Sequence, residues 1–146
     1  MTPPGPLKVQ KLHPDARVPE YATDGAACFD IASIEEMAVG AGAAHTYRTG
    51  LAFEVPDGHT MLIFSRSGHG FKHGLRLANC VGVIDADYRG EVMVRLANDG
   101  LTTMRICSGD RIAQAMILPV PRVQIQEADD LTETERGVGG FGSTGK

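Results

Sequence analysis

The stretch LAFEVPDGHTMLIFSRSG, residues 51–68, holds two apolar segments of strand length with a tight turn between them. Leu51, Phe53 and Val55 alternate with Ala52 and Glu54, the period of a strand with one face buried. Pro56-Asp57-Gly58 then supplies turn chemistry, because proline presets φ and glycine accepts a left-handed backbone. Met61 to Phe64 is a nearly continuous apolar run, again of strand length. Directly after it, Ser65 followed by Arg66-Ser67-Gly68 predicts an N-cap and the first turn of a short helix. Strand, turn, strand and one brief helix point to an all-β chain.

The same pattern spreads outward. Val92, Val94 and Leu96 alternate with Met93 and Arg95, residues 112–118 form another apolar run, and Val123 and Ile125 alternate with Gln124 and Gln126, predicting a further strand. Asn98-Asp99-Gly100 and Ser108-Gly109-Asp110 mark turns. Short strands at such spacing predict a sandwich or barrel, and no helical stripe exceeds two turns. Gly 18 and Pro 8 together make about 18% of the chain against a usual roughly 12%, in keeping with many turns. At 146 residues, 42% hydrophobic and 22% charged, the chain fits one globular domain.

Charge and cysteine usage narrow the function. The net charge of 14 minus 18, or -4, gives no general grip on nucleic acid, so an anionic ligand requires positive groups gathered locally. The N-terminus lacks a signal-peptide pattern, and the best apolar stretch, residues 112–120, is broken by Gln114 and Pro119; no membrane partner is expected. Cys28, Cys80 and Cys107 are an odd set without a CxxC pair, which predicts free thiols and a cytoplasmic setting. His69 and His73 stand four apart, but no Glu or Cys completes a zinc site.

Three segments carry candidate chemistry. The tail spells GxGxxG over 137–142 and GxxxxGK over 140–146, yet both motifs work only where the loop opens a helix, and neither nucleotide-binding fold is expected. A glycine-rich tail reads as a flexible end, while Arg136, Ser143, Thr144 and many glycine N–H groups are also the chemistry of a phosphate wrap, with Phe141 placed to stack on a base. In NCVGVIDADYRGE, residues 79–91, Asp85 follows Val83-Ile84, either as a turn cap or as a carboxylate at a cleft edge. Asp110-Arg111 reads as a turn and ion pair.

Taken in order, GAACFDIAS (25–33), SRSGHGFKHGL (65–75), NCVGVIDADYRGE (79–91), GDRIAQ (109–114) and RGVGGFGSTG (136–145) resemble the five motifs of the trimeric dUTP diphosphatase (dUTPase) family, over residues 8–145. The resemblance implies a jelly-roll-like β-sandwich or barrel subunit, a homotrimer with shared active sites, and Mg2+-dependent hydrolysis of dUTP to dUMP and pyrophosphate, which limits uracil in DNA and supplies dUMP for dTTP synthesis. It divides the chain into a core, 1–135, and a C-terminal arm, 136–146, closing over the site. Asp85 is then the base for the water that attacks the α-phosphorus. Asn79, Val81, Gly82 and Ile84 read uracil, and Tyr88 packs under the deoxyribose. Arg66, Ser67 and Gly68 meet the phosphates, and Gln114 contacts the α-phosphate region. Asp30 acts on the waters of magnesium, with no direct protein ligand to the ion expected. Arg136, Gly142, Ser143 and Thr144 hold the γ-phosphate end while Phe141 covers the base. Cys28, Ser65 and His69 depart from the family's usual Gly, Pro and Leu. The competing readings are a dCTP deaminase of the same fold and a dUTP-responsive regulatory protein.

Overall fold

The structure is a computed structural model that describes residues 5–145. Eleven strands and one helix follow in order: β1 Lys8–Lys11, β2 Phe29–Ala32, β3 Met37–Val39, β4 Ala44–Arg48, β5 Leu51–Glu54, β6 His59–Phe64, α1 Ser67–His73, β7 Leu75–Leu77, β8 Gly82–Ile84, β9 Met93–Asn98, β10 Met104–Ile106 and β11 Arg111–Pro119. All pairings are antiparallel. A four-stranded sheet runs β2-β11-β6-β8, a three-stranded sheet β4-β9-β7, and β1-β5 and β3-β10 form two-stranded ribbons. Ile31, Met61 and Ile63 from the first sheet and Tyr47, Val94 and Leu96 from the second share one apolar cluster. Two sheets closing on a common core make the expected all-β sandwich.

The alternating segments behave as their period requires, with local exceptions. In β9 Val94 and Leu96 are buried while Met93 and Arg95 are exposed. In β5, however, Ala52 is buried together with Leu51 and Phe53, so the alternation of apolar residues does not separate an exposed face there. Tyr47 and Asn98 are buried with their polar groups paired: Tyr47 Oη donates to the Met37 carbonyl at 3.0 Å, and Asn98 Nδ2 donates to the Val39 and Thr102 carbonyls at 2.9 and 2.8 Å. Asn98 Oδ1 also accepts from Gly100 N at 2.9 Å, which shapes the turn against the end of α1. There Gly74, at φ 68, caps the helix and its carbonyl accepts from Asp99 N at 2.9 Å.

Two expectations are corrected. Ser65 is not the N-cap of α1; Arg66 occupies that position with extended backbone and no side-chain cap bond. The Ser65 hydroxyl instead accepts from Leu77 N at 2.8 Å, fastening the strand exit to β7. Val123 and Ile125 form no strand, and their side chains are exposed. A strand needs a partner for its N–H and C=O groups, and no segment among the described residues pairs with this one. The last strand therefore ends at Pro119, ahead of the arm expected from Arg136, and residues 120–145 bury no side chain.

Candidate active site

Register brings the first group of expected residues together. On β11, Gln114 lies opposite Asp30 of β2 on one side and Phe64 of β6 on the other. Its Nε2 donates to the Ser65 carbonyl at 3.0 Å, so the amide links β11 to the segment entering α1. Asp30 holds two arginines at once: Arg66 Nε donates to Oδ1 at 2.8 Å and Arg111 Nη1 to Oδ2 at 3.1 Å. The Asp30 and Arg66 side chains are three-quarters or more buried, whereas Arg111 is more than half exposed. A partly buried carboxylate between two guanidinium groups leaves a net positive edge, suited to phosphate oxygens. Ser67 and Gly68 are exposed beside it at the start of α1. Arg111, read from sequence as an ion-pair residue, is thus part of this edge. An open cleft of about 520 Å³ lies against it, lined by Asp30, Arg111, Arg17 and Tyr21.

Histidine and cysteine near this edge have different states. His69, three residues past Arg66 on α1, has a buried Nδ1 with no hydrogen-bond partner. Burial, then the charges of Arg66 and His73, hold its pKa below the usual histidine value against the opposing pull of Asp110. Cys28 is half-buried, and burial followed by the Asp30 charge pushes its thiol up, which disfavours the thiolate.

The second group lies along β8. The loop into this strand turns at Cys80, whose φ is 64, and is closed by Val81 N donating to the Asn79 carbonyl at 2.7 Å. Gly82 packs closely: a Cβ there would come 3.2 Å from Ile63 Cβ, a tight contact. β8 pairs with β6 through Met61↔Ile84, Leu62↔Val83 and Ile63↔Gly82, and Asp85 follows at once. Tyr88 N donates to the Asp85 carbonyl at 3.2 Å, and Arg89 Nη1 donates to the Ala86 and Tyr88 carbonyls at 2.6 and 3.1 Å, closing the turn. Tyr88 Oη donates to the Glu91 carbonyl at 3.1 Å. Glu91 is itself held by Gly50 N and Arg48 Nε at 2.8 and 3.1 Å. The exposed Asp85 lines an open cleft of about 490 Å³ with Thr60, His59, Asp57, Arg89 and Arg122.

Within one chain Asp85 and Arg66 stand apart, whereas Gly82, opposite Ile63, lies toward the Arg66 end of β6. Asp85 leaves β8 beside the start of β6, one step beyond Met61↔Ile84, while Arg66 follows the other end of β6. At about 3.3 Å per residue, the six positions from Thr60 to Arg66 place the two ends roughly 20 Å apart. The third group, Arg136, Phe141, Gly142, Ser143 and Thr144, lies exposed in the tail. Its backbone hydrogen bonds run within a succession of turns, among them Gly139 N to the Arg136 carbonyl and Ser143 N to the Gly140 carbonyl. Lys146 lies outside the described residues. Among those described, no helix is long and apolar enough to cross a membrane.

Comparison with known proteins gives a consistent result. The dUTPase family profile matches residues 14–145. A deoxyuridine 5'-triphosphate nucleotidohydrolase of Nautilia profundicola is 48% identical over 96% of the chain and 99% of its own length. Another from Thermobifida fusca is 43% identical over 95% of the chain and 78% of its own length. Among solved structures, a Staphylococcus bacteriophage 80alpha dUTPase mutant with dUpNHpp superposes with a TM-score of 0.90 at 28% identity, covering 97% of this chain and 99% of that one. A mutant dUTPase from phage phi11 of S. aureus, described for its coordination of a structural Mg(II) ion, gives 0.81 at 25% identity, over 86% and 98% of the two chains.

Proposed function

The chain belongs to the dUTPase family, and on that premise we propose how its residues divide the work of hydrolysing dUTP. It is a dUTP nucleotidohydrolase. The observation that carries the division of labour is the distance along β6 between Asp85, which follows Ile84 opposite Met61, and Arg66, which follows Phe64. Asn79, Val81, Gly82 and Ile84 offer backbone and amide groups to a base edge, and Tyr88 stands beside them for the deoxyribose. Arg66 and Arg111 on Asp30, with Gln114, Ser67 and Gly68, form the phosphate edge. A nucleotide spanning both must take them from two neighbouring chains. Residues 136–145 of the arm close the site, Arg136, Gly142, Ser143 and Thr144 toward the γ-phosphate and Phe141 over the base. The unpaired Val123 and Ile125 support an arm that leaves its own subunit, and a closed homotrimer satisfies all three contributions.

The reaction runs at the α-phosphorus. The Asp85 carboxylate takes a proton from water as its oxygen bonds to phosphorus, the bridging P–O bond breaks, and pyrophosphate leaves with the electron pair. Arg66, Gln114 and the N–H groups at the start of α1 hold the charge that develops on the leaving side. The donor chemistry fits a magnesium ion carried by the substrate: Asp30 is the carboxylate at the phosphate edge and is engaged by an arginine at each oxygen, so phosphate and water supply most ligands and Asp30 acts on the waters. Bound there, magnesium neutralises the triphosphate and fixes its conformation.

The test is pyrophosphate release from dUTP, dTTP, dCTP and UTP by wild type and Asp85→Asn. Wild type should act on dUTP alone. The variant should still bind dUTP while turnover falls about 10²- to 10⁴-fold, roughly 3–5 kcal/mol of barrier. Retention of more than half the turnover would remove Asp85 from the role of base. Ammonia released from dCTP would identify a deaminase instead.

A further inference from the structure

The Asp85 carboxylate makes no hydrogen bond or ion pair with any described residue; its aim is set by its backbone alone. Downstream, that backbone is fixed by the turn that Tyr88 N and the Arg89 guanidinium close. Upstream, the β6–β8 ladder stops at Met61↔Ile84, immediately before Asp85. At this point a side chain continues the ladder: Thr60 Oγ1 donates to the Ile84 carbonyl at 2.9 Å. Thr60 is well placed to act as an anchor, because on its other side its backbone pairs with Leu118 in the interior of the four-stranded sheet. Thr60 and Asp85 also line the same cleft.

We infer that Thr60 is a positioning residue for hydrolysis, its hydroxyl fixing the Ile84 carbonyl so that the next residue, Asp85, presents its carboxylate to the attacking water. This rests on the reading of Asp85 as the base. A β-branched threonine is suited to the task, since its χ1 is stiff and its hydroxyl is held in one direction. Valine at this position keeps the shape and removes the donor, so the Ile84 carbonyl loses its bond to the Thr60 hydroxyl and the exit of β8 is held less firmly. A displacement well under 1 Å at a reacting group is enough to slow chemistry without weakening substrate binding.

The experiment compares kcat and KM for dUTP, with magnesium, in assembled wild type, Thr60→Val, Thr60→Ser, Asp85→Asn and the Thr60→Val/Asp85→Asn double variant. Thr60→Val should lower kcat about 5- to 30-fold with KM changed less than about twofold. Thr60→Ser, which keeps the donor, should recover kcat to within about twofold of wild type. In the Asp85→Asn background Thr60→Val should cause no further loss, because it acts only through that carboxylate. If Thr60→Val does not assemble, Thr60→Ala, which cannot overpack, is read in the same way. The proposal is overturned if the donor-less variant keeps kcat within twofold, if Thr60→Ser is as impaired as Thr60→Val, or if the loss persists in the Asp85→Asn background. Full activity of Asp85→Asn by itself would instead remove the base assignment, and this proposal with it.

Discussion

The distance along β6 makes a quantitative prediction about mixed trimers. Asp85 sits beside the start of that strand and Arg66 beyond its end, roughly 20 Å apart at about 3.3 Å per residue. A water at the α-phosphorus and an arginine on the phosphates must both lie within a few ångströms of one triphosphate. In the proposed arrangement each site joins the Asp85 of one chain to the Arg66 of its neighbour. Coexpression of Asp85→Asn chains with Arg66→Ala chains, each nearly inactive alone, tests this directly. A site is whole when its base comes from an Arg66→Ala chain and its phosphate edge from an Asp85→Asn chain. Random assembly of equal amounts then restores about a quarter of the sites, and mixed trimers purified by two affinity tags carry about one whole site in three whichever chain is in excess. Activity is read as pyrophosphate release per trimer under saturating dUTP. Sites contained within single chains restore none, because every chain carries a lesion. Mixed trimers of confirmed composition with no more activity than the sum of the parents would refute the shared arrangement.

Three further outcomes are expected. Gly100→Ala would put a methyl carbon 2.4 Å from the His73 carbonyl oxygen, and since Asp99 N already bonds the Gly74 carbonyl the loop cannot retreat; a loss of about 1–3 kcal/mol should lower the calorimetric Tm by several degrees. Tyr88→Ala should reduce the preference for dUTP over UTP in kcat/KM, and unchanged discrimination would place sugar selection elsewhere. His69, with its pKa held below the ordinary histidine value, resists a proton that the unfolded chain accepts below about pH 6.5, so the folded protein loses stability as pH falls through that range. His69→Leu should flatten that dependence in urea titrations at pH 7.5 and 5.5, and an undiminished slope would assign it to other groups.

How far the sequence can be read depends on the length of each element and on where its partners lie. Residues 51–54, 59–64, 93–98 and 111–119 were legible because each is long enough to show a period or an apolar run between turn residues. Met37–Val39, Leu75–Leu77 and Met104–Ile106 are three residues each, too short to display alternation, and they exist because neighbouring strands pair with them. Val123 and Ile125 show the reverse case: the alternation is present but no segment among the described residues pairs with it. Ser65 misleads as a cap because its hydroxyl has a better acceptor role toward Leu77 N, from a strand that lies beyond the helix. For the site, the five motifs named the residues to which the proposed chemistry is assigned. They did not indicate that Asp30 is shared by Arg66 and Arg111, which follows from the β2–β11 register, nor that Thr60 reaches across to Ile84.

The length of β6 also separates folding from competence in time. A single chain buries Tyr47, Phe53 and Met61 within its own core, yet in the proposed trimer it would hold only portions of three different sites. Catalytic output then depends on encounter between subunits as well as on their number. Specific activity should stay constant at high protein concentration and fall on dilution below the dissociation range, without any loss of β-structure. A cell producing few chains would acquire activity later than it acquires protein, and the strand that keeps base and phosphate groups apart would set that delay.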